Sequence, residues 1–147
     1  MEQNYRIRAA STEDTDTVFS FISHLEERSF DFNSFRERFA GNLEKKEVIY
    51  LVAVNEEDEA MGFVSCHGQS LLHHEGKVFE IQEMYVARNY RDRGIGKALF
   101  AAVHEKLAKL DCESLEVTTN AKRPDARRFY VKLGFQQTHV KFVKEEF

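Results

Sequence analysis

A mixed α/β fold with a mostly antiparallel sheet is what this sequence predicts, and three observations predict it. Strand-like and helix-like segments follow one another in the order β, α, α, β, β, β, α, β, α, β. The three successive strand segments between Val48 and Ala87 are joined by short connections, the pattern of an antiparallel meander. The long helical stretch after Ala87 then leads to "SLEVTT" (Ser114 to Thr119), a crossover that makes its two flanking strands parallel.

Each element has its own signal. "YRIRAA" (Tyr5 to Ala10) reads as a first strand. Ser11 or Thr12 then caps a helix with Glu13 and Asp14 in its first turn, where carboxylates face the positive end of the helix dipole. Val18, Phe19, Ile22 and Leu25 give that helix an apolar face. Phe32, Phe35, Phe39 and Leu43 mark a second helix, with Gly41 near its end. "VIYLVAV" (Val48 to Val54) is a continuous β-branched and apolar run, hence a buried strand. Met61 to Leu72 and Lys77 to Ala87 follow as strands, with Glu75-Gly76 as a hairpin signal between them. A helix from about Gly94 to Leu110 carries Ile95, Leu99, Val103, Leu107 and Leu110 on one face. Pro124 suits the first turn of a last helix that Gly134 stops, and "FQQTHVKFVK" closes with strand character.

The chain has 147 residues, the length of one domain spanning 1–147. A formal net charge of −4 argues against bulk capture of nucleic acid, which needs a basic face. Cys66 and Cys112 are too few for a disulfide framework, so a cytoplasmic setting is expected. No apolar run approaches the roughly 18 residues of a membrane span, and "MEQNYRIRAA" lacks the apolar stretch of a signal peptide.

"YRDRGIGKALF" (Tyr90 to Phe100) is the segment richest in chemical meaning. A helix start presents unpaired N–H groups and partial positive charge. Gly94 and Gly96 remove Cβ atoms where a ligand must approach the backbone and permit positive φ. Successive N–H groups over Gly94, Ile95, Gly96 and Lys97 then form an anion nest, with Arg91 and Arg93 at its rim, which describes a pyrophosphate cradle. It is neither a Walker loop nor a dinucleotide fingerprint: the Gly-Lys-Ser/Thr ending is absent, and Leu99 stands where the third glycine of G-x-G-x-x-G belongs. The plainer alternative is a helix start with small residues for packing beside solvated arginines.

"MYVARNYRDRGIGKALF" resembles the acetyl-CoA-binding segment of the GNAT N-acetyltransferase superfamily. Met84, Tyr85 and Val86 match its strand, and Arg91, Gly94 and Gly96 match its loop. The second family signature lies downstream in "ARRFYVKLGF", Ala126 to Phe135. The chain departs from the pattern at Arg88, where many members have Pro, and at Asp92, where many have Gly, which sets an anion near the proposed phosphate site. "FDFNSF", "HH" followed by "EIQE", and "TTNAKRPDARRFY" are similar to the family's bacterial aminoalkylphosphonate-acetylating branch. The resemblance implies a twisted mixed sheet with helices on both faces. It implies acetyl-CoA as cosubstrate and a small primary amine as acceptor. A divalent metal is left open but not predicted, and so is a homodimer.

Acetyl transfer from a thioester to an amine makes three demands: a neutral amine, a donor for the oxyanion, and a proton for the thiolate. An amine with a pKa near that of Lys is only about 0.1% neutral at pH 7, roughly 4 kcal/mol against reaction. Glu80 is the candidate base that the resemblance implies, acting through water. Alternation puts Glu80, Gln82, Met84 and Val86 on one strand face and Ile81, Glu83 and Tyr85 on the other. A bulge near Glu83 or Met84 breaks that parity and makes Glu83 the reserve candidate; the alternative for either is a salt-bridged strand carboxylate. The resemblance further implies the Met84 N–H as oxyanion donor, the Met84–Val86 main chain as partner of the pantetheine arm, and Tyr130 as the acid, with a core tyrosine as the alternative. Asn120 either bonds the pantetheine or fixes its own loop.

The acceptor side is less legible. His73-His74 point to opposite faces if they lie on a strand, a poor chelating pair by themselves; they are exposed hairpin histidines or, alternatively, contact an acidic acceptor or share a metal with a carboxylate. His67 lies in mid-strand, where it could approach Met84 across the hairpin, in a register the sequence does not give. Arg36, Lys122, Arg123 and Arg128 are cations available to a phosphonate, although surface charge explains each as well. Phe30, Phe32 and Phe35 either wall an acceptor pocket or belong to the core. A polyamine, aminoglycoside, amino acid, or protein N-terminus or lysine is an alternative acceptor, and a non-catalytic acyl-CoA sensor is the alternative of another class.

Overall fold

The structure, a computed structural model, describes residues 4–147. The chain divides into two compact units, Met1–Val117 and Thr118–Phe147.

The first unit is a five-stranded sheet in the order β1-β2-β3-β4-β5, formed by Tyr5–Ala9, Val48–Asn55, Ala60–Gln69, Lys77–Val86 and Cys112–Val117. Its first three pairings are antiparallel and β4–β5 is parallel, as the crossover demands. The helices are α1 (Thr15–Glu26), α2 (Phe32–Leu43) and α3 (Ile95–Leu107). The two sheet faces bury separate cores. Leu51, Ala53, Val64, Cys66, Phe79 and Ile81 pack with Ile95, Leu99, Val103 and Leu107 of α3. Tyr50, Val52, Val54 and Phe63 pack with Val18, Phe21 and Ile22 of α1 and Phe35 and Phe39 of α2. Each fully buried Leu, Ile or Phe contributes about 1.5–3 kcal/mol, so the two cores hold both helical layers to the sheet. Leu110 falls beyond the end of α3 and is exposed.

Ser11 caps a short 3₁₀ turn, Thr12–Asp14, that leads into α1, and Asp14 accepts the Ser11 N–H at 2.8 Å in return. Arg8 grips the same carboxylate at 2.8 and 2.9 Å. Burial opposes ionisation of Asp14, but Arg8 and Ser11 hold its pKa below the usual carboxylate range.

Three expectations change. Glu75-Gly76 is not a tight hairpin turn: the β3–β4 connection runs over residues 70–76, and Gly76 does not adopt positive φ. It is fastened instead to Glu113, whose carboxylate meets the His74 ring and accepts the Glu75 N–H at 3.3 Å. "FQQTHVKFVK" forms no strand among the described residues. A strand needs a neighbour to complete its ladder, which local propensity cannot supply, and Val140, Phe142 and Val143 are exposed. The third change is the parity of β4, which bears directly on the site.

The second unit is built on α4 (Pro124–Lys132) with Pro124 in its first turn. Gly134, at φ +100°, ends it: the Gly134 N–H bonds the Val131 carbonyl at 3.0 Å and the Phe135 N–H bonds the Tyr130 carbonyl at 3.1 Å, a Schellman cap.

Candidate active site

The register of β4 contains one extra residue. Ser65 pairs with Glu83 and Cys66 with Ile81, which leaves Gln82 as a bulge. The bulge reverses the alternation. Phe79 and Ile81 before it and Met84 and Val86 after it all pack on the α3 side, whereas Glu83 and Tyr85 turn to the α1–α2 side. Glu80 alternates with Phe79 and Ile81 and so faces the α1–α2 side too. The unbulged assignment, which set Glu83 beside Ile81 and Glu80 beside Met84, is therefore corrected: the two carboxylates share a face.

β5 pairs with β4 only from Lys77 to Ile81. Beyond Ile81 the β5-facing edge of β4 has no partner strand among the described residues. The Ala87 N–H bonds Met61 on β3 at 2.8 Å, so alternation turns the Met84 and Val86 main chains to the open edge. The Met84 N–H thus points to that edge, where it has no strand partner among the described residues. The Val86 carbonyl is already engaged, by Arg91 Nε at 2.9 Å.

The start of α3 lies in the same unit. Gly94 adopts φ +81°, and a Cβ there meets nothing within 4 Å, so the space above this backbone is open. No side chain caps the helix. The Ala98 N–H is the first to reach back, to the Gly94 carbonyl at 3.0 Å, which leaves those of Ile95, Gly96 and Lys97 without intrahelical partners. Gly96 is an ordinary helical residue, so positive φ is not its role. Asp92, where many relatives carry Gly, holds φ +63°, a conformation that Asp tolerates better than most residues. Arg91 lies over the Tyr85 ring at 5.5 Å and Arg93 over the Tyr90 ring at 5.7 Å, so both guanidinium groups rest on aromatic faces beside the helix start. These are the features of an anion cradle, and they fit a pyrophosphate.

On the α1–α2 face, Glu83 is largely enclosed. Its main-chain N–H donates to Ser65 Oγ at 2.9 Å, and the Ser65 hydroxyl donates to its Oε1. Burial raises the Glu83 pKa, the Ser65 hydrogen bond works against that, and the nearby Glu26 charge adds to the rise. In the next strand Tyr50 accepts from Asn42 Nδ2 at 3.0 Å and its hydroxyl meets His67 Nε2 at 2.8 Å. Burial, with the Lys45 charge, lowers the His67 pKa, so the imidazole is neutral at pH 7. His67 stands opposite Glu80 in the register. Ser65, Tyr50 and Asn42 escaped sequence reasoning; the signal was a lone serine and a lone tyrosine inside otherwise apolar strands.

In the second unit Tyr130 is buried, edge-on to Phe129 and Phe135 at 5.1 and 5.6 Å. Burial pushes its phenol up to about 12. Asn120 organises its own loop: its Oδ1 accepts the Lys122 N–H and its carbonyl the Arg123 N–H, both at 2.9 Å. Arg128 pairs with Asp125 on the surface, and Arg36 and Lys122 are exposed. Phe35 is core, with Phe32 half-buried beside it. His73 and His74 lie in a loop rather than on a strand, their rings tilted by 54° at 4.3 Å, and among the described residues no group of three or more His, Cys, Asp or Glu is placed to hold a metal. No helix among them is long and apolar enough to cross a membrane.

The sequence profile of the acetyltransferase (GNAT) family matches residues 9–135. An aminoalkylphosphonate N-acetyltransferase of Salmonella typhimurium is 40% identical over 94% of this chain and 89% of its own length. Two solved structures share the fold. A protein from Bacillus halodurans, described as a transcriptional regulator, superposes with a TM-score of 0.86 at 24% identity over 97% of this chain and 99% of that one. An aminoglycoside N-acetyltransferase in complex with CoA gives 0.85 at 16% identity over 99% of this chain and 97% of that one.

Proposed function

This chain belongs to the acetyltransferase (GNAT) family and is an N-acetyltransferase, and on that premise we propose that it transfers acetyl from acetyl-CoA to the primary amine of a small aminoalkylphosphonate. One observation carries the acetyl-CoA half of the proposal: a strand edge left open from Met84 to Val86 in the same unit as an uncapped helix start with left-handed Gly94. The coenzyme supplies an activated acetyl thioester. The N–H groups of Ile95, Gly96 and Lys97 hold its pyrophosphate, with Arg91 and Arg93 at the rim, and Asp92 shapes the turn. Tyr85 carries the Arg91 guanidinium on its ring. The open edge receives the pantetheine arm, and the Met84 N–H faces the carbonyl oxygen that gains charge. Asn120 keeps the loop before α4 in shape and offers its remaining amide hydrogens to the coenzyme.

Of the two carboxylates, Glu83 is the stronger base candidate, because it is enclosed and its pKa is raised toward the pH at which it must work. Glu80, on the same face, supplies counter-charge to the incoming ammonium. Tyr130 is the proposed acid for the departing thiolate, and burial keeps its proton in place well above neutral pH. The acceptor class rests on the Salmonella relative. A cationic acceptor such as a polyamine is a second reading, favoured by the Glu26 charge near Glu83 and by Glu80 on the same face of β4.

A panel of amines assayed by free-thiol release, with and without chelator, tests the proposal. Turnover of aminomethyl- and aminoethylphosphonate well above that of polyamines and aminoglycosides is expected. Fast polyamine turnover with none of aminomethylphosphonate ends the narrow reading.

A further inference from the structure

The β3–β4 bulge is closed by a side chain, not by main chain. Ser65 is 1% exposed, and its single oxygen serves Glu83 twice, accepting the main-chain N–H at 2.9 Å and donating to Oε1. Such a double contact fixes both where the Glu83 backbone leaves the ladder and which way its carboxylate points. A serine in the interior of an apolar strand is a costly choice unless its hydroxyl is used. Here the use is specific, because an alanine at this position fills the strand equally well.

We propose that Ser65 is a positioning residue for acetyl transfer: by gripping the N–H and one carboxylate oxygen of Glu83 across the bulge, it holds the other oxygen, Oε2, in the orientation that takes a proton from the acceptor's ammonium. This rests on the reading of Glu83 as the base. The proton passes from the amine nitrogen to Oε2, the amine lone pair is freed, and the Ser65 hydroxyl stays on Oε1 throughout. The hydroxyl also favours the ionised carboxylate, the form that is competent as a base. Other groups face Glu83 from the packed elements, Tyr50 on β2, with His67 bonded to it from β3, and Glu26 on α1, and Glu80 lies on the same face of β4. Glu26 disfavours ionisation while it is charged, and neutral His67 leaves the balance unchanged. Ser65 is the contact that counters it.

The test is the pH profile of kcat/KM. Ser65→Ala removes the stabilised carboxylate and moves the acidic limb up by about one pH unit, given the usual strength of a hydrogen bond to a charged group. Activity well below the limb then falls about tenfold, while the profiles converge at high pH. Ser65→Thr, which keeps the hydroxyl, restores the original limb. Ser65→Cys keeps the volume and substitutes a weak donor, so it gives the same answer if the alanine variant does not fold. An acidic limb unmoved in the alanine or cysteine variant overturns the proposal. Glu83→Gln is run in parallel. Loss of the acidic limb in that variant together with an unmoved limb in Ser65→Ala removes the positioning role alone, whereas a wild-type limb in Glu83→Gln overturns the base assignment and the positioning role with it.

Discussion

Burial raises the pKa of Glu83, partly countered by Ser65 and reinforced by Glu26, and a carboxylate in that condition weakens the fold that holds it. The folded-state pKa lies above the unfolded value, so the folded chain binds more protons between the two. Its contribution is therefore fully present below the ordinary Glu pKa and lost as pH rises through the folded value. Glu83→Gln, which carries no charge at any pH, is expected to melt at a higher temperature than the parent at pH 7, with the gap closing near pH 4, even as turnover collapses. Thermal melts across that range check it, and a variant less stable at pH 7 than the parent contradicts it. Tyr130 gives a complementary prediction. Tyr130→Phe keeps the ring contacts with Phe129 and Phe135 but loses the proton, so kcat drops about 10- to 1000-fold with acetyl-CoA affinity unchanged. An unchanged kcat removes Tyr130 from the acid role.

At the scale of elements, the site depends on how closely α3 approaches the sheet. Gly62 of β3 lies under that contact: a Cβ there meets the Tyr85 carbonyl at 2.8 Å and the side chains of Leu99 and Ile95 at 3.3 and 3.4 Å. The first neighbour is backbone and cannot rotate away. Gly62→Ala is expected to cost about 1–3 kcal/mol in urea unfolding. It is also expected to weaken acetyl-CoA binding, because it displaces the β4 segment whose outer edge is open. A variant with parental stability shows that β4 gives way freely. The elements themselves were legible where a periodic apolar pattern met a cap or a breaker: Ser11 before α1, Pro124 and Gly134 around α4, the β-branched run of β2. Pairing was not. Glu75-Gly76 resembles a hairpin turn locally, yet Glu113, 38 residues from Glu75, is what ties that loop down. The last strand-like segment has β propensity without a ladder.

Across the whole molecule, the two-glycine segment after the third meander strand told most about function, because an uncapped helix start has few chemical uses. Its detail was only half readable. Gly94 does carry positive φ, but so does Asp92, and Gly96 does not. The acidic pair was visible as residue types in "EIQE", yet one bulged residue, Gln82, decided which faces they take, and a bulge depends on the register of two strands rather than on either sequence. The partners of those groups, Ser65 and the Asn42–Tyr50–His67 chain, came from strands and a helix far apart in sequence. What connects the scales is the claim that bare main-chain N–H groups at the start of α3 hold the coenzyme. Isothermal titration of the purified protein with acetyl-CoA tests this most directly, with Gly94→Val alongside. The account predicts saturable one-to-one binding that the valine, set at a left-handed φ with its side chain over the cradle, weakens by an order of magnitude or more; no heat of binding, or equal affinity in the variant, contradicts it.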